Sequence, residues 1–164
     1  MNHNAKEDPQ SLSLPILDAW ERHNRILLYL IDYLPENGLD LAFGEKGKRI
    51  GSHFAHIHTV RRMWLQASAP ELWEQTYAID NKQLNYRPYI KEALNSSSAA
   101  ICELLRMALE NDRIKGFKLG PENFFAYLLS HESHHQGQII MTLRLVGVEL
   151  AEEIAFGLWD WGKR

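Results

Sequence analysis

Six of the eight histidines of this 164-residue chain fall in two short segments, GSHFAHIHTVRRMWL (51–65) and HESHHQGQ (131–138). Imidazole is the commonest protein ligand for transition metals and titrates near neutral pH, so metal chemistry is the first expectation. A helix through the second segment puts His131 and His135 on one face, about 6 Å apart along the axis. Both rings can then reach one ion. Phe124, Leu128, Thr142 and Val146 fall within about 60° of His131 at 3.6 residues per turn, so this face points into a core. A single inward histidine is usually a hydrogen-bonded core residue. Two at this spacing each need polar partners, and one shared metal satisfies both.

The first segment supplies a third ligand, His56 or His53. Both share a helix face with Ile57, Val60, Trp64 and Ala67, while His58 projects roughly opposite. His53 lies in the first turn, where fraying works against rigid ligation, so a hydrogen-bonding place beside the ligands suits it better. Three neutral imidazoles with an open coordination position suit Zn²⁺, Ni²⁺ or Fe²⁺. Glu132 sits about 100° from His131 and reads as a surface carboxylate, with a catalytic base as the weaker reading. Gln138, one turn beyond His135, is placed to hydrogen-bond a ligand or a substrate. Gly137 inside a helix costs about 1 kcal/mol relative to alanine and suggests a close helix approach.

The elements that must position these residues read as helices. The first runs from about Ser13 to Leu34, with Pro15 in its first turn and Pro35 as its stop. His23 and Asn24 interrupt its apolar stripe. Further helices span about Ser52–Ala67, Pro88–Asn111 and Pro121–Gly147, and a short one is expected at Glu71–Tyr77. Gly147 fits a C′ position. Strand signals are weak. The fold class is therefore all-α, a four-helix bundle. The long connection between its second and third helices allows those two to run parallel. Residues 1–10 read as a flexible tail and 11–164 as a single domain. Apolar residues make up 45% and charged residues 24%, an ordinary globular balance. A net charge of -3 argues against nucleic-acid binding. No apolar run approaches the roughly 20 residues of a membrane span, and the polar first ten residues are no signal peptide. A single cysteine, Cys102, fits a reducing cytoplasm and reads as a small buried hydrophobe. Trp159 and Trp161 near the C-terminus are expected to pack on the bundle, with a place lining the pocket mouth as the weaker reading.

On these residues the chain resembles the DinB-like superfamily, which includes YfiT-like metal-dependent hydrolases and thiol transferases. The resemblance rests on AHIHTVRRMWL in the second helix and HESHHQGQIIMTLRLVG in the fourth, and covers nearly the whole chain. It maps the family's metal triad to His56, His131 and His135. It implies a four-helix bundle, a homodimer, and a small-molecule substrate, in some members a low-molecular-weight thiol. The family's Arg-Gly-Gln after the last histidine is here Gln136-Gly137-Gln138. A rival reading uses the same letters. His131-Glu132-Ser133-His134-His135 satisfies H-E-x-x-H, the zinc-protease signature, with Glu132 as general base and Glu152 or Glu153 as third ligand. No strand-rich region precedes it, and the second-helix histidines would then have no task.

Overall fold

The structure, a computed structural model, describes residues 9–164. All but the last two residues of the expected 1–10 tail fall outside that range. The described chain forms α1 (Pro9–Asp32), α2 (Ile50–Ser68), α3 (Pro70–Trp73), α4 (Arg87–Asn111), α5 (Pro121–Leu145) and α6 (Glu152–Gly157), with no β-strand. α1 begins four residues earlier than the sequence suggested. Pro9, not Pro15, opens it, since a first-turn proline lacks only an N–H that has no helical partner anyway. The expected short helix at 71–77 is the single turn α3. Among the described residues, no helix is long and apolar enough to cross a membrane.

Two apolar clusters fix the helix directions. One gathers late α1 (Leu27, Leu30, Ile31), early α2 (Ile50, Phe54, Ile57), early α4 (Ile90, Leu94) and late α5 (Ile139, Leu143). The other gathers Trp20 of α1, Leu65 of α2, late α4 (Ile101, Leu104, Leu105) and early α5 (Phe124, Leu128). So α1 and α5 run one way and α2 and α4 the other. The parallel α2–α4 pair is what the long connection permits. That connection is fastened to α2: His58 Nε2 donates to the Tyr77 carbonyl at 2.7 Å, and Arg62 Nε to Thr76 Oγ1 at 3.0 Å.

Between the apolar clusters lies a buried polar layer. It contains His23 and Asn24 of α1, Arg61 of α2, Ser97 and Ser98 of α4, and Glu132 of α5. α5 ends in a Schellman motif: Val148 N–H bonds to the Leu143 carbonyl at 2.9 Å and Gly147 N–H to that of Arg144 at 3.1 Å. Gly147 has φ +80°, the left-handed conformation a glycine adopts without strain.

The start of α2, which carries His53, is pinned from two sides. Ile50 N–H bonds to the Leu41 carbonyl at 2.9 Å. Gly51 packs so closely under the Leu84 backbone that a Cβ there would collide with the Leu84 carbonyl oxygen. Gly51→Ala is therefore expected to destabilise the fold by about 1–3 kcal/mol, read from urea unfolding. An unchanged midpoint would show that the connection is not docked here.

Candidate metal centre

His56, His131 and His135 each offer a ring nitrogen, and the three nitrogens lie within 4.8 Å of one another. α2 supplies one and successive turns of α5 the other two. His131 Nε2 and His135 Nε2 are 3.3 Å apart. Two nitrogens bound at about 2.0–2.1 Å in tetrahedral geometry stand about 3.3–3.4 Å apart, so this spacing suits one small divalent cation. His135 is buried, while His56 and His131 are half-buried. The cluster is thus covered on the core side and open on the other.

The surrounding groups prepare the ring nitrogens. His135 Nδ1 lies 2.8 Å from Gln138 Oε1, which only accepts, so Nδ1 carries the proton and Nε2 presents its lone pair. His131 Nε2 then has to donate to His135 Nε2, and His131 Nδ1 is left buried without a partner. A cation between the two rings would let both Nε2 atoms present lone pairs, so that neither has to donate to the other; His131 Nδ1 has no partner in either tautomer. His53 is buried, 6% exposed, and its Nδ1 is 3.3 Å from His135 Nδ1, on the side away from the His131–His135 contact. The expectation of a frayed first turn fails because Leu41 and Leu84 clamp it. His58 stands outside the cluster, as its angle implied, but it is buried against the long connection.

The rings are held neutral. Burial, then the charge of Lys48 and the neighbouring histidines, lowers the His53 pKa to about 4. Burial, then His131 and His56, lowers that of His135 to about 4. His56 and His131 are also lowered, mainly by burial. Neutral imidazole is the form that binds metal.

Glu132 is not the surface carboxylate the sequence suggested: it is 0% exposed. Arg61 grips it at both oxygens, Nε to Oε1 at 2.7 Å and Nη2 to Oε2 at 2.6 Å. His23 Nε2 donates to Oε2 at 3.0 Å. Arg61 Nη1 also reaches Asn24 Oδ1 and the Leu94 carbonyl, each at 2.9 Å, and its guanidinium lies 4.8 Å from the Trp20 ring centroid. Both carboxylate oxygens are therefore committed. Burial alone would push the Glu132 pKa up, but the charge and hydrogen bonds of Arg61, with His23, hold it at about 2. Glu152 and Glu153 are exposed on α6, outside the histidine cluster. Arg61 was missed because an Arg61-Arg62 pair on a histidine-rich helix reads as surface. The available signal was phase: Leu128, Glu132, His135, Ile139 and Leu143 follow a 4-3-4-4 spacing, which places Glu132 on the buried seam. Three lesser expectations also change. Nothing lies within 4 Å of a Cβ built on Gly137, so no helix approaches it. Trp159 is 81% exposed and does not pack on the bundle. Cys102 is half-buried rather than buried, and burial, then Glu21, raises its pKa, which makes it a poor nucleophile.

Two outcomes follow from this geometry. Glu132→Leu leaves Arg61 buried and unpaired and is expected to cost about 3–5 kcal/mol, while adding Arg61→Met recovers much of the loss. Equal and additive losses in a urea double-mutant cycle would show that the pair is not coupled. The second outcome is pH dependence. For His53 and His135, folded pKa values near 4 against an ordinary 6.5 mean that the unfolded chain binds more protons, so stability is lost as pH falls from about 6.5 to 4. Glu132 adds a further loss as pH falls from about 4.5 to 2. The melting midpoint of metal-free protein should fall through both windows; a flat profile between pH 6.5 and 4 would contradict the burial of these rings.

No curated protein and no solved structure matches the chain. The profile of the DinB family matches residues 1–153, which takes in α1, α2, α4 and α5 and all three clustered histidines. On that match, and with the bundle and histidine cluster described above, this chain belongs to the DinB family.

Proposed function

We propose that the protein is a metal-dependent enzyme that holds one divalent cation, Zn²⁺, Ni²⁺ or Fe²⁺, on His56, His131 and His135 and acts on a small molecule by thiol transfer or hydrolysis. The observation that carries this reading is the convergence of three neutral imidazoles with one side open. His53 approaches His135 from behind, so it does not close the cluster as a fourth ligand. An open position is the mark of a catalytic rather than a structural site.

A cation held there lowers the pKa of a thiol or water, so that a nucleophile is available near neutral pH. The chain's own residues supply the rest. Gln138 fixes the His135 ring and its tautomer. His131 stacks beside Tyr127, with ring centroids 6.3 Å apart, which limits its rotation. The positive charge of Lys48 acts on His53, His56 and His131. The same charge favours an anionic nucleophile, such as the thiolate of a low-molecular-weight thiol, at the open side. Glu132 takes no part in proton transfer, because its oxygens are already engaged by Arg61 and His23.

The test is metal content per chain, followed by activity. His56→Ala, His131→Ala and His135→Ala should each lose the ion. His58→Gln should retain it, and His53→Ala should weaken binding at most. Gln138→Leu should weaken affinity by about 10–100-fold. Loss of metal in His53→Ala with retention in His56→Ala would overturn the triad. Metal-loaded protein that turns over no thiol with any of a panel of electrophiles, and hydrolyses none of a panel of small esters and amides, would leave metal binding without catalysis as the function.

A further inference from the structure

A cavity of about 620 Å³ does not touch the histidines. It lies between the end of α5, the turn at 147–150 and α6, against Ile140, Leu143, Val148, Leu150 and Leu158. A second cavity of about 210 Å³ shares Ile140, Leu158 and Trp159 with it and continues along α5 past Gly137 and Gln136 to His23 of α1. Together they form one groove between α5 and the C-terminal segment.

Three features with no role in the bundle meet there. Gly137 sits inside a helix although no neighbour comes within 4 Å of a Cβ at that position. What its missing side chain leaves open is the floor of the groove. Trp159 lines both cavities yet is 81% exposed. Trp161 lines the inner cavity and is held in place through its backbone: Arg22 donates to the Trp161 carbonyl at 2.5 Å and to the Arg164 carbonyl at 2.8 Å. The C-terminal segment is thus strapped across α1 with two indoles at the groove.

We infer that this groove is a second binding site, separate from the histidine cluster, for an uncharged aromatic molecule of one or two rings carrying a hydrogen-bonding group. A volume of about 620 Å³ suits a small-molecule site, and the lining is mainly aliphatic with the Trp159 indole at its edge and Trp161 in the adjoining inner cavity. Two indoles favour a flat aromatic partner, which they can meet in offset or edge-on contact. Ser133, Gln136 and His23 offer polar groups at the inner end. Among the described residues, the charged ones lining either cavity are Arg144 and Glu149 at the outer end, apart from His23; their signs cancel, so no net charge is favoured. His23 Nε2 is committed to Glu132, so a ligand beside that ring touches the layer that holds α5 in place.

The test titrates indole, 2-naphthol, benzamide and the anion benzoate into the full chain by calorimetry. At least one of the three neutral compounds should bind saturably, one per chain, and benzoate should bind more weakly. Gly137→Leu fills the groove floor and should weaken that binding by about tenfold or more. Its metal content and melting midpoint should not fall, because a Cβ there meets nothing within 4 Å and leucine favours a helix over glycine. Trp159→Ala, at an exposed position, should weaken binding as well. The inference is overturned if none of the neutral compounds saturates, if Gly137→Leu binds as wild type does, or if benzoate binds best. A groove covered by a second copy of the chain would also overturn it, showing concentration-dependent sedimentation and no saturable binding.

Discussion

The buried ion pair between Arg61 and Glu132 is the constraint on which the rest of the bundle depends. Taking both charges out of water costs several kcal/mol per ion, and only good geometry offsets it. Here Arg61 makes four hydrogen bonds, two to Glu132, one to Asn24 and one to the Leu94 carbonyl. Those bonds join α1, α2, α4 and α5 in one layer. The apolar clusters above and below are non-directional and tolerate sliding. The layer does not: moving any one helix by a turn would strand a buried charge. The pair therefore specifies register more than it adds stability.

Register is what a three-histidine cluster needs. His131 adjoins Glu132 in sequence, and His135 lies three residues beyond it. Arg61 follows His56 by five residues on α2. Locking Arg61 onto Glu132 thus fixes how far His56 stands from the α5 pair. The parallel run of α2 and α4 adds to this. Because the two helices enter from the same end, the connection between them must travel the length of the bundle. His58 and Arg62 tie that connection to α2 on the side away from the cluster. α2 is held on one side by its loop and on the other by an ion pair, and its remaining edge is free to carry His56.

The fold was legible because its signals are local: proline and glycine at helix ends, a 3.6-residue period, and one connection too long for a hairpin. Even the Schellman stop at Gly147 follows from the letter. The cluster was half legible. Spacing alone brought His131 and His135 together, and His56 shared a face with apolar residues. The buried layer was not legible, because burial of a charge depends on partners from distant parts of the chain. His23 and Asn24 looked like breaks in a stripe, yet they are the α1 share of that layer. The expected core face of α5, taken from His131 with Thr142 and Val146, was off by about 40°, less than one residue's turn of about 100°. The buried seam in fact runs through Glu132, His135, Ile139 and Leu143.

That phase also decides how the letters H-E-x-x-H should be read here. A glutamate that serves as general base beside a metal needs a carboxylate facing the bound water, with an oxygen free to take a proton. Glu132 lies on the same helix turn as His131 but about 100° round from it, inside the core. Arg61 and His23 saturate its oxygens, and a pKa held near 2 makes it a very weak base. A motif written for one helix therefore carries different chemistry when the neighbouring helices differ. In the protease reading, the histidines and the glutamate face one site. In this bundle they face two: the histidines turn toward α2 and the open edge, and the glutamate toward the arginine that sets the register of that edge.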